Sequence, residues 1–530
     1  VERGGGAKLG YLIIFLTGAA TLALELLASR ILTPYFGVSL YIWTSILAIT
    51  LTFLAIGYDA GGRLARRRDK ATCILAFFTA PVVSVAAIVV ACLIYPHLFP
   101  WLAGVDLLLG SIVAAAIILA VPLVVLSAMN PLLIAINLES VGDAGAGRVF
   151  FISTVGSVVG VIATAFLLIP YVTNFRGLLL LAIILSVLPI AGLRFVTVKR
   201  HRSLLTVAAA GGLVIAGGLF LLAPSLLGKD RDIAAGDYIF RMQAEYTSVF
   251  GNLKVVKFAD RNDPSLYITL YLTDGLVQNR LLPDGNSYSE YTHALSVLSA
   301  AYAPEAKRAL VLGLGAGVLP RDLAQRGLAV DAVEINDSMV AAMREHAGAE
   351  NGWRIHIGDA RTFVRGCAEP YDLAVVDLFH GDGTPDYLLT AEFFADLRRC
   401  LTPDGVAVMN AFALAQDSAN YRGLIATVQS AFPHIEAFRR PMAPDDINLN
   451  TYLVAMAGPR EPVNAPLEQV PGDVREGLVE AIKGRRIEMT QDPALVITDE
   501  HNIFSILNAD DQIALRRVLV QQLPPEMLVN

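Results

Sequence analysis

Four short motifs in the second half of the chain carry residues able to hold a nucleoside and to move a proton. Gly313-Leu314-Gly315-Ala316-Gly317 joins an apolar run to a helical pattern that starts at Val318. Glycines there allow a tight turn and let a ligand come close to the backbone. Glu334 ends the next apolar run, about 20 residues on, where an acid can accept both ribose hydroxyls. Asp359, in Gly358-Asp359-Ala360-Arg361, follows a third run and can accept a hydrogen bond from an adenine amino group. Asp377 ends a fourth run that begins at Tyr371. A carboxylate there can orient an attacking amine, accept its proton or stabilise a sulfonium charge. His380 and Asp382 follow on the same loop. A dinucleotide is the rival ligand, but its fingerprint needs glycine at position 318, which is Val318. The spacing present suits a nucleoside without a pyrophosphate.

The elements that must position these residues alternate. Strands are expected over 309–313, 330–335, 353–357, 373–377 and 406–410, with helices over 318–326, 337–347 and 391–400. That order predicts a mostly parallel, doubly wound sheet, which binds ligands outside the carboxyl ends of its strands. Every residue singled out above lies at such an end. Before it, strand-like runs over 253–258 and 266–272 are separated by Asp260, Asn262, Asp263 and Pro264. They predict a small antiparallel β-subdomain, and a helix over 287–303 follows.

The first half is different. Of 530 residues 55% are hydrophobic and 17% charged, against roughly 25% charged in an ordinary soluble domain. The excess is concentrated in residues 9–227. Seven stretches, near 9–29, 39–59, 72–95, 105–129, 149–169, 177–195 and 204–223, are long enough to cross a hydrocarbon core of about 30 Å. Pro122 and Pro131 are expected to break or prolong the fourth. The first contains Glu25 and lacks a small-residue cleavage site, which argues against a removed signal peptide. A carboxylate within a span usually faces a cavity or a bundle interior, so Glu25 is a membrane-site candidate. The alternative is an ion pair with Arg30. Gly156-Ser157 with Gly160 predicts a close helix contact.

Net charge of −7 points away from nucleic acid. Cys73, Cys92, Cys367 and Cys400 show no CxxC pair and no His-paired metal spacing. They are read as buried small hydrophobes, with no disulfide framework and no metal.

Taken together, residues 245–412 resemble the spermidine synthase (polyamine aminopropyltransferase) family. The likeness rests on Thr273-Asp274-Gly275-Leu276-Val277-Gln278, Tyr288-Ser289-Glu290, the glycine loop, Val333-Glu334-Ile335, Gly358-Asp359 and the run from Tyr371 to Asp377. The apolar half is similar to that of membrane-fused bacterial spermidine synthase-like proteins, through Glu25-Leu26-Leu27, Pro34-Tyr35-Phe36-Gly37 and Ser153-Thr154-Val155-Gly156-Ser157. The implied fold is an α-helical multi-pass membrane domain plus an α/β Rossmann-like soluble domain of the class I methyltransferase and spermidine synthase type, with a small N-terminal β-subdomain. The boundaries are 1–228 for the transmembrane domain, 229–304 for the β-subdomain and linking helix, 305–460 for the nucleoside-binding catalytic domain and 461–530 for a helical extension.

The resemblance implies S-adenosylmethionine, or its decarboxylated form, as the donor. Gly313, Gly315, Gly317, Glu334, Asp359, Ala360, Gln278 and Asp274 would bind it. Asp377 would be the general base, with Tyr288 and His380 as further catalytic residues. Three positions depart from the family: Ala316 stands where an Asp holds the donor's amine, His380 replaces a second Asp, and Ser289 replaces a glutamine. An ammonium without a carboxylate partner is poorly held in a desolvated pocket. Methyl transfer, or cleavage of the sulfonium with release of methylthioadenosine, therefore stands beside aminopropyl transfer. Thr498-Asp499-Glu500-His501-Asn502 resembles a Thr-Asp-Asp segment of the membrane relatives.

The acceptor is expected to be a small amine or a membrane-borne molecule, the other partner the lipid bilayer, and a homo-oligomer fits this picture. A transporter with a nucleoside-sensing domain is the reading of another class. A bacterial inner membrane location leaves one conflict. The loop with Arg63, Arg66, Arg67, Arg68 and Lys70, the cluster Arg194, Lys199, Arg200 and Arg202, and the N-terminal Arg3 and Lys8 all belong on the cytoplasmic side. Seven crossings then put the soluble half outside, whereas a cytosolic donor argues for the cytoplasm. The soluble half is therefore expected in the cytoplasm, where the donor is made.

Overall fold

A computed structural model describes residues 2–38, 40–348, 352–379, 383–412, 418–439, 450–464, 466–490 and 492–530. The chain divides into two compact units, one of Val1–Arg231, Thr247–Gly251 and Leu519–Asn530, the other of Asp232–Tyr246 and Asn252–Val518. The division gives the tip of one β-hairpin and the last twelve residues to the helical unit rather than to the sheets.

The helical unit contains α1 (Glu2–Phe36), α2 (Leu40–Arg67), α3 (Lys70–Val105), α4 (Leu107–Ala163), α5 (Asn174–Gly192) and α6 (Lys199–Leu226). Seven segments among the described residues are long and apolar enough to cross a membrane. The prolines do not interrupt the fourth: α4 continues through Pro122 and Pro131. Instead α4 supplies two segments by doubling back. Asn130 donates to Ser153 at 3.2 Å although 23 residues separate them, a stretch that a straight helix would extend over about 35 Å. The expected small-residue contact is present. A side chain on Gly156 or Gly160 would meet the backbone of Phe15 or Ala19 in α1, and Ser157 donates to the Gly18 carbonyl at 3.0 Å.

One stripe of α6 packs inward through Leu205, Ala209, Ala216 and Ala223. Another presents Val207, Val214 and Leu221, which are 71, 72 and 76% exposed. An apolar stripe of that kind needs a non-aqueous neighbour. Glu25 is half-buried on α1. Arg30, the alternative partner for it, donates to the carbonyls of Ser248 and Val249.

The second unit has two sheets. The smaller one orders β1 (Ile233–Ala235), β2 (Tyr238–Ser248), β3 (Gly251–Asp260), β4 (Tyr267–Thr273) and β5 (Leu276–Leu281) in sequence. Helix α7 (Glu290–Tyr302) links it to the larger sheet. That sheet is built from β6 (Arg308–Leu312), α8 (Val318–Gln325), β7 (Ala329–Glu334), α9 (Asp337–His346), β8 (Trp353–Ile357), α10 (Ala360–Arg365), β9 (Tyr371–Val376), α11 (Ala391–Arg399) and β10 (Leu401–Phe412). Then come α12 (Ala419–Gln429), β11 (His434–Phe438), β12 (Asn450–Met456), α13 (Gly472–Lys483) and β13 (Arg486–Glu488).

Its order is β13-β11-β12-β10-β9-β6-β7-β8. Pairing is parallel from β8 to β10 and antiparallel at β12, β11 and β13. The mostly parallel, doubly wound expectation holds. The connection reverses direction between β6 and β9, which opens a crevice at their carboxyl ends. Strand β10 starts earlier than expected, at Leu401, because an irregularity between Leu401 and Val406 keeps both segments paired with β9.

Cys367 and Cys400 form a disulfide, with Cα atoms 5.5 Å apart, which corrects their reading as unpaired hydrophobes. The parallel pairing of β9 and β10 brings them together. Each cysteine lies just ahead of one of these strands, and Tyr371 N–H donates to the Cys400 carbonyl at 2.9 Å. Closing a loop of 33 residues stabilises a fold by roughly 4 kcal/mol. The double variant Cys367→Ala, Cys400→Ala is expected to lose about that much stability and so unfold at a lower denaturant midpoint, and an unchanged midpoint would show that the bridge adds nothing. Cys73 and Cys92 are buried and free, as expected.

Candidate functional site

The glycine loop leaves β6 and enters α8. Gly313 has φ of 95°, a left-handed conformation that glycine adopts without strain. A side chain there would strike the Asp377 carbonyl, so the loop passes directly over the end of β9. Asp377 N–H donates to the Leu312 carbonyl at 2.9 Å. Gly315 would likewise clash with Asn279 of β5, whose amide oxygen accepts from Ala316 N–H at 2.6 Å. Gly317, the third glycine named from sequence, is the left-handed N-cap of α8.

Glu334 ends β7 and faces this loop. Its carboxylate accepts from Leu314 N–H at 3.1 Å and from Asn336 N–H at 2.8 Å. Burial holds its carboxyl above the ordinary range. Asp359 caps α10, accepting from Thr362 N–H at 2.7 Å and Oγ1 at 2.8 Å, and from the Tyr387 hydroxyl at 2.8 Å. Burial pushes its carboxyl up, but these donors outweigh it and leave it below the usual value. The next turn is anchored by Arg361, which pairs with both carboxylate oxygens of Asp499 and donates to the Tyr387 carbonyl. That gives the Thr498-Asp499 segment a structural part, holding α10 behind Asp359. Ala360 packs into the core beneath.

Asp377 follows β9 and is held by Asn410 of β10, whose Nδ2 donates to it at 2.9 Å. Burial raises its carboxyl to about 6, with Asn410 pulling the other way. Tyr291 adjoins it: burial first, and then the Asp377 charge, push the Tyr291 hydroxyl far up. That hydroxyl donates to the Gln278 carbonyl and accepts from Asn279. Asn279, Tyr291 and Asn410 were not singled out from sequence. Asn410 could have been, since it closes the fifth strand pattern, and Tyr291 stands three residues beyond Tyr288, in the first turn of α7.

The structure thus brings the glycine loop, Glu334, Asp359 and Asp377 to the carboxyl ends of four adjacent strands. From β8 to β9 is three strand spacings, about 14 Å, enough for a nucleoside with a short chain laid across the ends. Asp274 and Tyr288 make other contacts. Asp274 has φ of 47° and, with Gly275, makes the two-residue turn between β4 and β5. This is the Asp-Gly hairpin turn. Its carboxylate accepts from Asn252 N–H at 3.0 Å, and its carbonyl from Arg516 at 3.0 Å. Tyr288 packs against the core and donates its N–H to the Arg280 carbonyl at 2.7 Å. Gln278 enters this set through its carbonyl. His380 lies outside the described residues.

This part of the chain is similar to known proteins. Residues 288–444 match the spermine/spermidine synthase domain. A polyamine aminopropyltransferase of Vibrio vulnificus is 28% identical over 202 residues, covering 37% of this chain and 64% of its own. One from Mycobacterium tuberculosis is 29% identical over 316 residues, covering 55% of this chain and 56% of its own. The chain therefore spans about six-tenths of the length of these relatives. The spermidine synthase structure of Thermotoga maritima aligns with a TM-score of 0.34 at 16% identity, over 52% of this chain and 88% of that one. The strand-end carboxylates and their glycine loop all lie within the stretch that matches the spermine/spermidine synthase domain.

Proposed function

We propose that this chain is a membrane-anchored transferase that moves an alkyl group from an S-adenosyl sulfonium donor to an amine. The observation that carries the proposal is the set of three carboxylates and a glycine loop at the ends of adjacent strands. Glu334 would take the ribose hydroxyls and Asp359 the adenine amino group. In the transfer, the amine lone pair attacks the carbon beside the sulfonium. A C–N bond forms, the C–S bond breaks with its electron pair going to sulfur, and Asp377 takes the proton released by nitrogen. The apolar helices, with their outward stripes, would anchor the domain in a bilayer.

Decarboxylated S-adenosylmethionine with aminopropyl transfer is the first reading, because the relatives are aminopropyltransferases. Ala316 supports a second. Without a carboxylate in the glycine loop, the carboxylate of intact S-adenosylmethionine is tolerated, and methyl transfer or sulfonium cleavage becomes open to the site. Incubating the purified full chain with each donor and a set of diamines, and weighing the nucleoside product, separates these readings. Methylthioadenosine marks aminopropyl transfer or cleavage, and S-adenosylhomocysteine marks methyl transfer. No turnover and no binding of either donor would remove the proposal.

The proton-accepting role has a pH signature. Asp377 must be ionised to accept a proton, and its carboxyl sits at about 6. Activity should therefore be flat above that pH and fall tenfold per unit below it. Asn410→Ala removes a hydrogen bond to the charged form, worth about 1.5–3 kcal/mol. The acid limb of kcat/KM should then move up by one pH unit or more. A limb that stays in place would detach Asn410 from Asp377.

A further inference from the structure

We infer that the site faces the non-cytoplasmic side of the membrane and meets its amine acceptor there. The acceptor clause rests on the transferase reading; the sidedness does not.

Contacts within the helical unit set the direction of each pass. Residues 57 and 61 of α2 lie against 124 and 128 of α4, so α2 runs parallel to the first arm of α4. Residues 156 and 160 in the second arm lie against 15 and 19, so this arm runs parallel to α1. The two arms are antiparallel, as the Asn130–Ser153 bond requires. Near their C-terminal ends α1 and α3 meet through Tyr35 and Phe99, with ring centroids 5.5 Å apart. Phe175 lies against Tyr95, and Gly192 against Phe78, so α5 runs against α3. Arg176 lies over Phe220, and Ser186 against Gly212, so α6 runs against α5. All seven passes therefore alternate.

The two ends differ sharply in charge. One gathers Lys8, Arg148, the loop from Arg63 to Lys70, and the cluster of Lys199, Arg200 and Arg202. At the other end, the links over 37–39 and 169–173 hold no lysine or arginine and the link after α3 holds Asp106; the basic residues nearest this end are Arg30, Arg176, Lys229 and Arg231, fewer than at the first. Basic short loops mark the cytoplasmic side. The chain leaves α6 at the end with fewer basic residues, where Lys229 and Arg231 alternate with Asp230 and Asp232. The hairpin tip and the C-terminal segment, both part of the helical unit, are bound at that same end. Thr247 donates to the Pro170 carbonyl at 2.9 Å, and Phe175 N–H to the Asn530 carbonyl at 2.8 Å.

A second observation is independent of the helices. Cys367 and Cys400 are joined in the sheet-bearing unit, and disulfides persist in oxidising compartments rather than in the cytoplasm. Charge placement and cysteine state agree, against the expectation from donor supply. The donor then has to cross the membrane before use, which makes its delivery a transport step.

The test is thiol labelling of the full chain in intact spheroplasts with a membrane-impermeant maleimide. Asp263→Cys and Glu476→Cys place exposed probes in the sheet-bearing unit, and Ala71→Cys places one at the basic end. The first two should label in intact spheroplasts, and the third only after permeabilisation. The native sequence, alkylated as it is denatured, should show two reactive thiols without reductant and four with it. Labelling of Ala71→Cys alone in intact spheroplasts, or free Cys367 and Cys400 in the native chain, overturns the inference. Neither readout depends on turnover, so its failure would leave the transferase reading standing.

Discussion

Asp377→Asn should lower turnover by about 10²–10⁴-fold while leaving nucleoside binding within a fewfold of the native value. The substitution keeps the shape of the side chain and an oxygen for Asn410, which donates to Asp377 at 2.9 Å. It removes the negative charge and with it the capacity to accept a proton. Glu334 ends β7 and Asp359 follows β8, on the far side of β6 from β9, so the nucleoside end of the site is untouched. Product formation measured beside calorimetric titration of the nucleoside separates the two effects. The acid limb near pH 6 should vanish from the residual activity, because the group that titrates there is gone. A variant that turns over within threefold of the native protein would end the role assigned to Asp377.

Glu334→Gln should weaken nucleoside binding by about 10²-fold or more. Hydrogen bonds to a charged group contribute about 1.5–3 kcal/mol each, and the two ribose hydroxyls would make two of them. The amide also replaces one acceptor oxygen with a donor that faces Leu314 N–H or Asn336 N–H. The glycine loop then loses the support that shapes it. Thermal unfolding of the variant distinguishes a loosened loop from a lost ligand contact, and Glu334→Asp, which keeps the charge, should recover part of the affinity. Burial holds the Glu334 carboxyl above its ordinary range. Because the ionised form accepts the hydroxyls, affinity should fall on acidification in the native protein and not in the glutamine variant. Equal affinity of Glu334→Gln and native protein would place the ribose elsewhere.

The Asn410→Ala and Asp377→Asn results belong together. Asn410 acts through Asp377 and is a positioning residue, so its signature is a displaced pH limb rather than a lost one. Tyr291 shares the same neighbourhood, tied to Gln278 and Asn279. It fixes the loop side of the site while Asn410 fixes the strand side.

The sequence alone determined whatever depends on local pattern. An apolar run, a glycine loop and a helix make a strand–turn–helix unit wherever they occur, and residues at the strand ends are carried with it. Glu334, Asp359 and Asp377 were legible for that reason, and so were the long apolar helices. Tertiary structure decided what depends on segments far apart in the chain. Pairing β9 with β10 set Asn410 beside Asp377 and joined Cys367 to Cys400 across 33 residues. Packing β5 and α7 over the glycine loop brought Asn279 and Tyr291 to the site, and left Asp274, from the same motif, holding a hairpin turn. No spacing rule encodes such neighbours, because their distance is set by strand register and by the doubling back of a helix rather than by their separation along the chain.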